Sequence, residues 1–229
     1  MGNHKKVKAA KKEYIVCMGE RLGKLFYALN QEVEWLYMKW NEYIALYGTE
    51  PSRIDLLNKA APLFFRVVQD SLFEGTLLHI TRLTDPPKSA GKENLTIQRI
   101  LPLVLDQPLS GILKSKIEVA VQKSEFCRDW RNRLIAHQDL KLAIEKGINP
   151  LKPANRELVK KALDSIADVL NAVILHYNES EIGFGIVHGN GGGESLLYII
   201  NDGLRAEEQR TKRIKNSDFR EEDFQTRDI

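Results

Sequence analysis

Thirteen consecutive residues, Cys127-Arg128-Asp129-Trp130-Arg131-Asn132-Arg133-Leu134-Ile135-Ala136-His137-Gln138-Asp139, gather three arginines and one histidine at a helix end. An imidazole, with an ordinary pKa of about 6.5, is the side chain best suited to moving protons near neutrality. A guanidinium offers a fixed fork of donors that suits a phosphate, including the extra charge of a pentavalent transition state. Together these are parts for holding or cleaving a phosphodiester without a metal. The plainer reading is structural: a histidine among arginines at the negative end of a helix caps backbone carbonyls, and Arg131 and Arg133 form ordinary ion pairs. Spacing restricts the chemistry further. At about 100° per residue, His137 shares a helical face with Phe126, Trp130, Arg133 and Leu134, whereas Arg131 lies about 120° away. Both address one ligand only if the helix breaks between them or a second subunit contributes.

The elements that must position this patch are helical. Met18, Leu22, Leu25, Leu29, Val33, Leu36, Trp40, Tyr43 and Tyr47 recur over 29 positions in eight steps, which is the helical period. One long amphipathic helix follows, ended by Gly48, with Pro51-Ser52 opening the next. The apolar stretch from Ser52 to Leu83 contains Pro62, placed to kink one helix or start a second, and stops at Asp85-Pro86-Pro87. Lys88 to Glu93 reads as an exposed loop, and Asn94 as the cap of a short helix. From Pro108 a helix carries Leu109, Ile112, Leu113, Ile117, Ala120, Phe126, Trp130 and Leu134. After Gly147 and Pro150/Pro153 another carries Val159, Ala162, Leu163, Ile166, Val169, Leu170, Val173 and Tyr177, and Glu194 opens a last one. No run sustains a period of two. The expected architecture is an all-α bundle whose long first helix packs against at least two others.

The chain has 229 residues, 34 Lys+Arg against 31 Asp+Glu and a formal charge of +3, with five lysines and no acid among the first twelve residues. The rest is therefore close to neutral, which argues against a static nucleic-acid-coating surface. The expected organisation is a basic flexible tail over 1–12, one domain over 13–205 and a charged, partly disordered tail over 206–229. No apolar run approaches the ~18 residues of a membrane span, and the N-terminus lacks a secretory signal, so a cytoplasmic location is expected. Cys17 and Cys127 have no pairing or zinc-like spacing and read as small buried hydrophobes.

Other residues read more plainly. Ile182 to Ser195 is glycine-rich but lacks the Lys-Ser/Thr of a phosphate loop and the third glycine of a dinucleotide fingerprint, so it reads as a flexible connection with His188 exposed. His79 reads as a core or interface histidine, Arg82 and Asp85 as a local pair securing a helix end, and Trp35, Tyr37, Trp40, Tyr43 and Tyr47 as packing.

Arg131-Asn132-Arg133-Leu134-Ile135-Ala136-His137 resembles the R-x(4–6)-H motif of the HEPN superfamily, with the polar residue that usually follows the arginine. Phe73 to Leu78, Arg82-Leu83-Thr84-Asp85-Pro86, His137-Gln138-Asp139 and Glu194 to Tyr198 are similar to the abortive-infection (AbiU2-like) branch, over roughly residues 15–205. The resemblance implies a helical bundle that forms a symmetric homodimer, bringing two Arg/His motifs into one cleft. It also implies metal-independent, cofactor-free RNA cleavage, in which the ribose 2′-OH attacks the adjacent phosphate and leaves a cyclic phosphate end. On this chain His137 would move the proton, Arg131 would stabilise phosphate charge, and Asn132 would orient His137 or the phosphate. Arg128 and Arg133 would help bind substrate. The partners expected are a second copy, RNA as substrate and an antitoxin protein, in a toxin or phage-defence setting. The alternative is a catalytically inactive HEPN module that binds a protein or nucleotide.

Overall fold

The structure is a computed structural model that describes residues 2–89, 91–137, 139–144, 150–185, 191–218 and 220–224, without the side chains of 2–9 and 141. Nine α-helices are present among the described residues: α1 Gly2–Met18, α2 Glu20–Tyr47, α3 Pro51–Ala60, α4 Pro62–Thr84, α5 Gln107–Lys123, α6 Glu125–Trp130, α7 Leu140–Ile144, α8 Arg156–Asn178 and α9 Gly193–Lys215. The strands β1 Lys88–Ser89 and β2 Lys92–Glu93 form a two-residue antiparallel hairpin where an exposed loop was expected. The all-α bundle is as anticipated, and no helix among the described residues is long and apolar enough to cross a membrane.

These residues form two compact units, Met1–Asn41 with Ser71–Val187 and Glu42–Asp70 with His188–Ile229. In the first, α2 buries Leu22, Phe26, Leu29, Val33 and Leu36, and α8 buries Val159, Ala162, Leu163, Ile166, Val169, Leu170 and Val173. The α8 stripe packs along α5, which contributes Leu109, Leu113, Ile117 and Ala120. Ile112, assigned to that stripe from sequence, is half exposed instead. Caps fix the ends of these helices. Asp106 accepts from Leu109 N at 2.7 Å at the start of α5, and Asn155 accepts from Leu158 N at 2.9 Å at the start of α8.

α2 is the long helix expected up to Gly48, but one break precedes it and the stretch before that break is helical. The backbone is helical from Gly2, across the stretch read as a basic tail, and Gly19 at φ +81° separates α1 from α2. At Gly23 the helices meet so closely that a Cβ would stand 2.5 Å from the Tyr14 carbonyl oxygen. Asn94 does not cap the short helix after the hairpin. Thr96 does, accepting weakly from Gln98 N, while the Asn94 amide bonds the Pro86 carbonyl at 2.8 Å.

In the second unit, α3 packs on α9. Pro62 starts a new helix, α4, as one of its two expected effects. Glu42 accepts from Gly193 N at 2.5 Å, so a carboxylate of the protein itself occupies the N-terminus of α9. An anion at this terminus would have to displace Glu42; residues 186–190 of the glycine-rich connection, His188 among them, lie outside the described residues. α9 continues ten residues past Arg205, where fraying was expected. Its last turns are tied to the segment that follows by Asp223, buried at 2% exposure, which accepts from Arg213 Nη2, from Arg213 Nε at 3.1 Å and from Arg220 N at 3.0 Å.

Candidate functional site

The site begins at the end of α4. A helix leaves its last carbonyls without partners, and Pro86-Pro87 prevents continuation. Thr96 Oγ1 donates to the Leu83 carbonyl at 2.9 Å, Gln98 Nε2 donates to Thr84 O at 2.9 Å and to Asp85 O at 3.2 Å, and Arg128 Nη2 donates to Thr84 O at 3.3 Å. The terminus is thus clamped from two directions, and the Asp85 backbone with it.

α6 brings the arginines. Phe126 and Cys127 anchor it in the core, and burial pushes the Cys127 thiol up to about 12, which leaves it an inert hydrophobe as expected. Cys17, by contrast, is half-buried. Trp130 packs edge-on against Phe73 at 5.9 Å and donates to the Lys152 carbonyl at 2.8 Å, while Asp129 accepts from Lys152 N at 2.8 Å. The segment around Lys152 therefore straps α6 in place directly before Arg131.

From Arg131 to Ile135 the helix widens into a π turn, closed by Ala136 N on the Arg131 carbonyl at 2.8 Å, and Asp139 N then reaches the Arg133 carbonyl at 2.9 Å. Single π turns recur at functional sites because they re-aim side chains. The helix ends here, so His137 lies in the bend beyond it, exposed. This is the break that the sequence left open as one way for Arg131 and His137 to share a ligand.

Arg131 Nη1 donates to Asp85 Oδ2 at 2.5 Å and its Nε donates to Asn132 Oδ1 at 2.9 Å. Arg128 Nε reaches the other oxygen of Asp85 at 3.4 Å. The three side chains are 15–29% exposed. The structure thus brings together Arg128, Arg131, Asn132 and Asp85. His137 is not bonded to any of them, and its ring makes no hydrogen bond among the described residues, so the carbonyl-capping reading of this histidine is not what the structure shows. Asn132 meets Arg131 rather than His137. Arg133 is tied to Asp129 at 3.5 Å, Asp139 at 3.8 Å and the Pro150 carbonyl at 3.4 Å, so taking up a phosphate would mean exchanging one of these partners.

The expected Arg82–Asp85 pair does not form. Arg82 turns to Glu32 at 2.9 Å, and Asp85 is drawn to the two arginines of α6 and the π turn instead. A carboxylate at the negative end of a helix is disfavoured unless cations compensate it, and two guanidiniums do so better than one exposed one. Asp85 is the site residue that sequence reasoning missed. Its only local signal, an acid beside Pro at a helix end, pointed to the wrong partner. His79 is a core histidine, as expected, with Nε2 on Glu32 and Nδ1 buried without a partner among the described residues. Burial, and then Lys39 and Arg82 nearby, hold its pKa down to about 4 against the opposing pull of Glu32.

An all-α bundle that presents an Arg-Asn pair and a following histidine at a widened helix end has the architecture and motif order of a HEPN domain. The sequence profile of the HEPN AbiU2 family matches residues 19–190, well over half of the chain and including Asp85, Arg128, Arg131, Asn132 and His137, and the protein belongs to that family. Comparisons with curated proteins and with solved structures find no match.

Proposed function

We propose that the protein is a metal-independent endoribonuclease of HEPN type, the toxic component of an abortive-infection or related defence system, acting as a homodimer. The observation that supports this most is the state of Arg131. Its guanidinium is held on two edges, by Asp85 and Asn132, with Nη2 left for an anion, six positions before an exposed His137 whose ring makes no hydrogen bond among the described residues. In the proposed reaction the 2′-oxygen of one ribose attacks the adjacent phosphorus and the bond to the 5′-oxygen breaks, giving a 2′,3′-cyclic phosphate. His137 takes the 2′-OH proton, and the protonated His137 of the facing copy returns one to the departing 5′-oxygen. Arg131 stabilises the charge that grows on the phosphate. Two copies related by a two-fold axis supply both histidines to one cleft.

The test is cleavage of single-stranded RNA by purified protein in EDTA, with His137→Ala as control. The expected result is cyclic-phosphate ends from wild type and none from the variant, with unchanged melting curves. Equal cutting by both would refute the assignment of His137, and an uncut substrate would leave the inactive binding module as the reading.

A further inference from the structure

The geometry assigns Asp85 the part of a positioning residue for Arg131, and this inference rests on the ribonuclease reading above. Asp85 lies outside the R-x(4–6)-H motif, 46 positions before Arg131, on a different helix end. Its link to Arg131 adds little to the security of α4. Thr96, Gln98 and Arg128 already satisfy the carbonyls of Leu83, Thr84 and Asp85, and Arg128 already compensates the Asp85 charge. What the second ion pair fixes is the guanidinium.

That fixation has a definite geometry. Asp85 takes Nη1 and Asn132 takes Nε, two nitrogens of one rigid plane, so turning that plane about the Cδ–Nε bond breaks a hydrogen bond. Five N–H groups minus the two in use leave three donors in a set direction. Donors that do not reorganise during reaction are the ones that lower a barrier. The arrangement also carries a cost in ground-state affinity, since a carboxylate beside the phosphate site cancels one of the two positive charges of Arg128 and Arg131. A residue that orients at the expense of attraction acts on turnover more than on binding.

Asp85→Asn separates these effects. It keeps the shape, weakens the hold on Arg131 and removes a negative charge. The expected outcome is a kcat for RNA cleavage lower by about 10- to 100-fold, with KM unchanged or reduced. A higher kcat together with a lower KM would mark Asp85 as a competitor of the substrate, and kinetics equal to wild type would mark it as idle; either overturns the proposal. A second readout needs no turnover: the 15Nη–Hη signals of Arg131, identified by their loss in Arg131→Lys, should be resolved and slow to exchange in wild type, where Asp85 holds Nη1, and broadened in Asp85→Asn. An Arg131 signal identical in both proteins overturns the positioning role even if wild type cuts RNA. Failure of wild type to cut RNA defeats the ribonuclease reading alone and leaves the Arg131 signal to decide this one. Should Asp85→Asn fail to fold, Asp85→Glu keeps the charge and displaces the carboxylate by one methylene. It should retain the Arg131 signal with an intermediate kcat, and a kcat equal to wild type would count against positioning.

Discussion

Nε2 of His79, on α4, lies 2.8 Å from the carboxylate of Glu32 on α2, at a place where only 2% of the histidine is exposed. Lys39 and Arg82 face the same carboxylate region, and Lys39 is itself held below its ordinary pKa by burial and by Arg82. Protonated His79 would add a third cation to this cluster, so the folded protein keeps it neutral. The unfolded chain binds its proton at about 6.5, whereas the folded chain waits until about 4. Stability from this group is therefore complete above about pH 6.5 and is lost as pH falls toward about 4, by an amount on the order of 1 to 3 kcal/mol. Urea denaturation at several pH values between 7 and 4 should show that slope in wild type, and His79→Gln should flatten it.

The glycines of α2 and α4 respond to alanine in opposite senses. Gly23 faces the α1 backbone, where a Cβ would press on Tyr14 and Ile15, whereas Gly75, in the interior of α4, has open space around the same position. Gly75→Ala should stabilise by about 0.5–1 kcal/mol through helix propensity alone. The carbonyl of Gly75 that accepts from Lys39 is untouched by this change. Gly23→Ala should destabilise by about 1–3 kcal/mol as α1 is pushed away. Thermal unfolding of the two variants beside wild type is the measurement, and a shift of the same sign in both would be contrary to the packing described.

Much of this was legible beforehand because burial on a helix is periodic. Of the eight residues read onto the α8 stripe, the seven from Val159 to Val173 are buried and the eighth, Tyr177, is half-buried. Ile112 belongs to the same kind of pattern and is exposed, because a stripe fixes a face but not the width of the neighbour that covers it. Ion pairs carry no such period. Arg82 and Asp85, one turn apart, looked like partners, yet each found its counter-charge on another element, Glu32 on α2 and Arg131 at the widened turn. A helix end at this patch was legible, but the π turn has no sequence signature, so the place of that end just before His137 was not.

At the other end of the chain, Asp223 is a single residue that closes a loop onto α9. Its hydrogen bonds from Arg213 first, and then from Arg220 N, hold its pKa down to about 2 from an ordinary 3.8. The clip is therefore complete above about pH 4 and opens as pH falls toward about 2. Asp223→Asn removes the charge at every pH. Limited trypsin digestion at neutral pH should cut that variant after Arg213 and Arg220 several times faster than wild type.

Asn132 offers a test that distinguishes orientation of Arg131 from orientation of His137. In the structure its Oδ1 accepts from Arg131 Nε at 2.9 Å and makes no bond to the histidine. Asn132→Asp keeps an acceptor at that place, and Asn132→Leu keeps the bulk without one. A hydrogen bond to a charged group is worth about 1.5–3 kcal/mol, and the exposed position of Asn132 puts its effect at the lower end, about tenfold in kcat for Asn132→Leu. Asn132→Asp should keep most of the activity, because the acceptor and hence the hold on Nε remain. If the side chain served His137 instead, removing it would change the pH dependence of cleavage through the proton-transfer step. The expectation is a tenfold lower kcat at every pH with the shape of the pH profile preserved, and a profile displaced along the pH axis would assign Asn132 to the histidine.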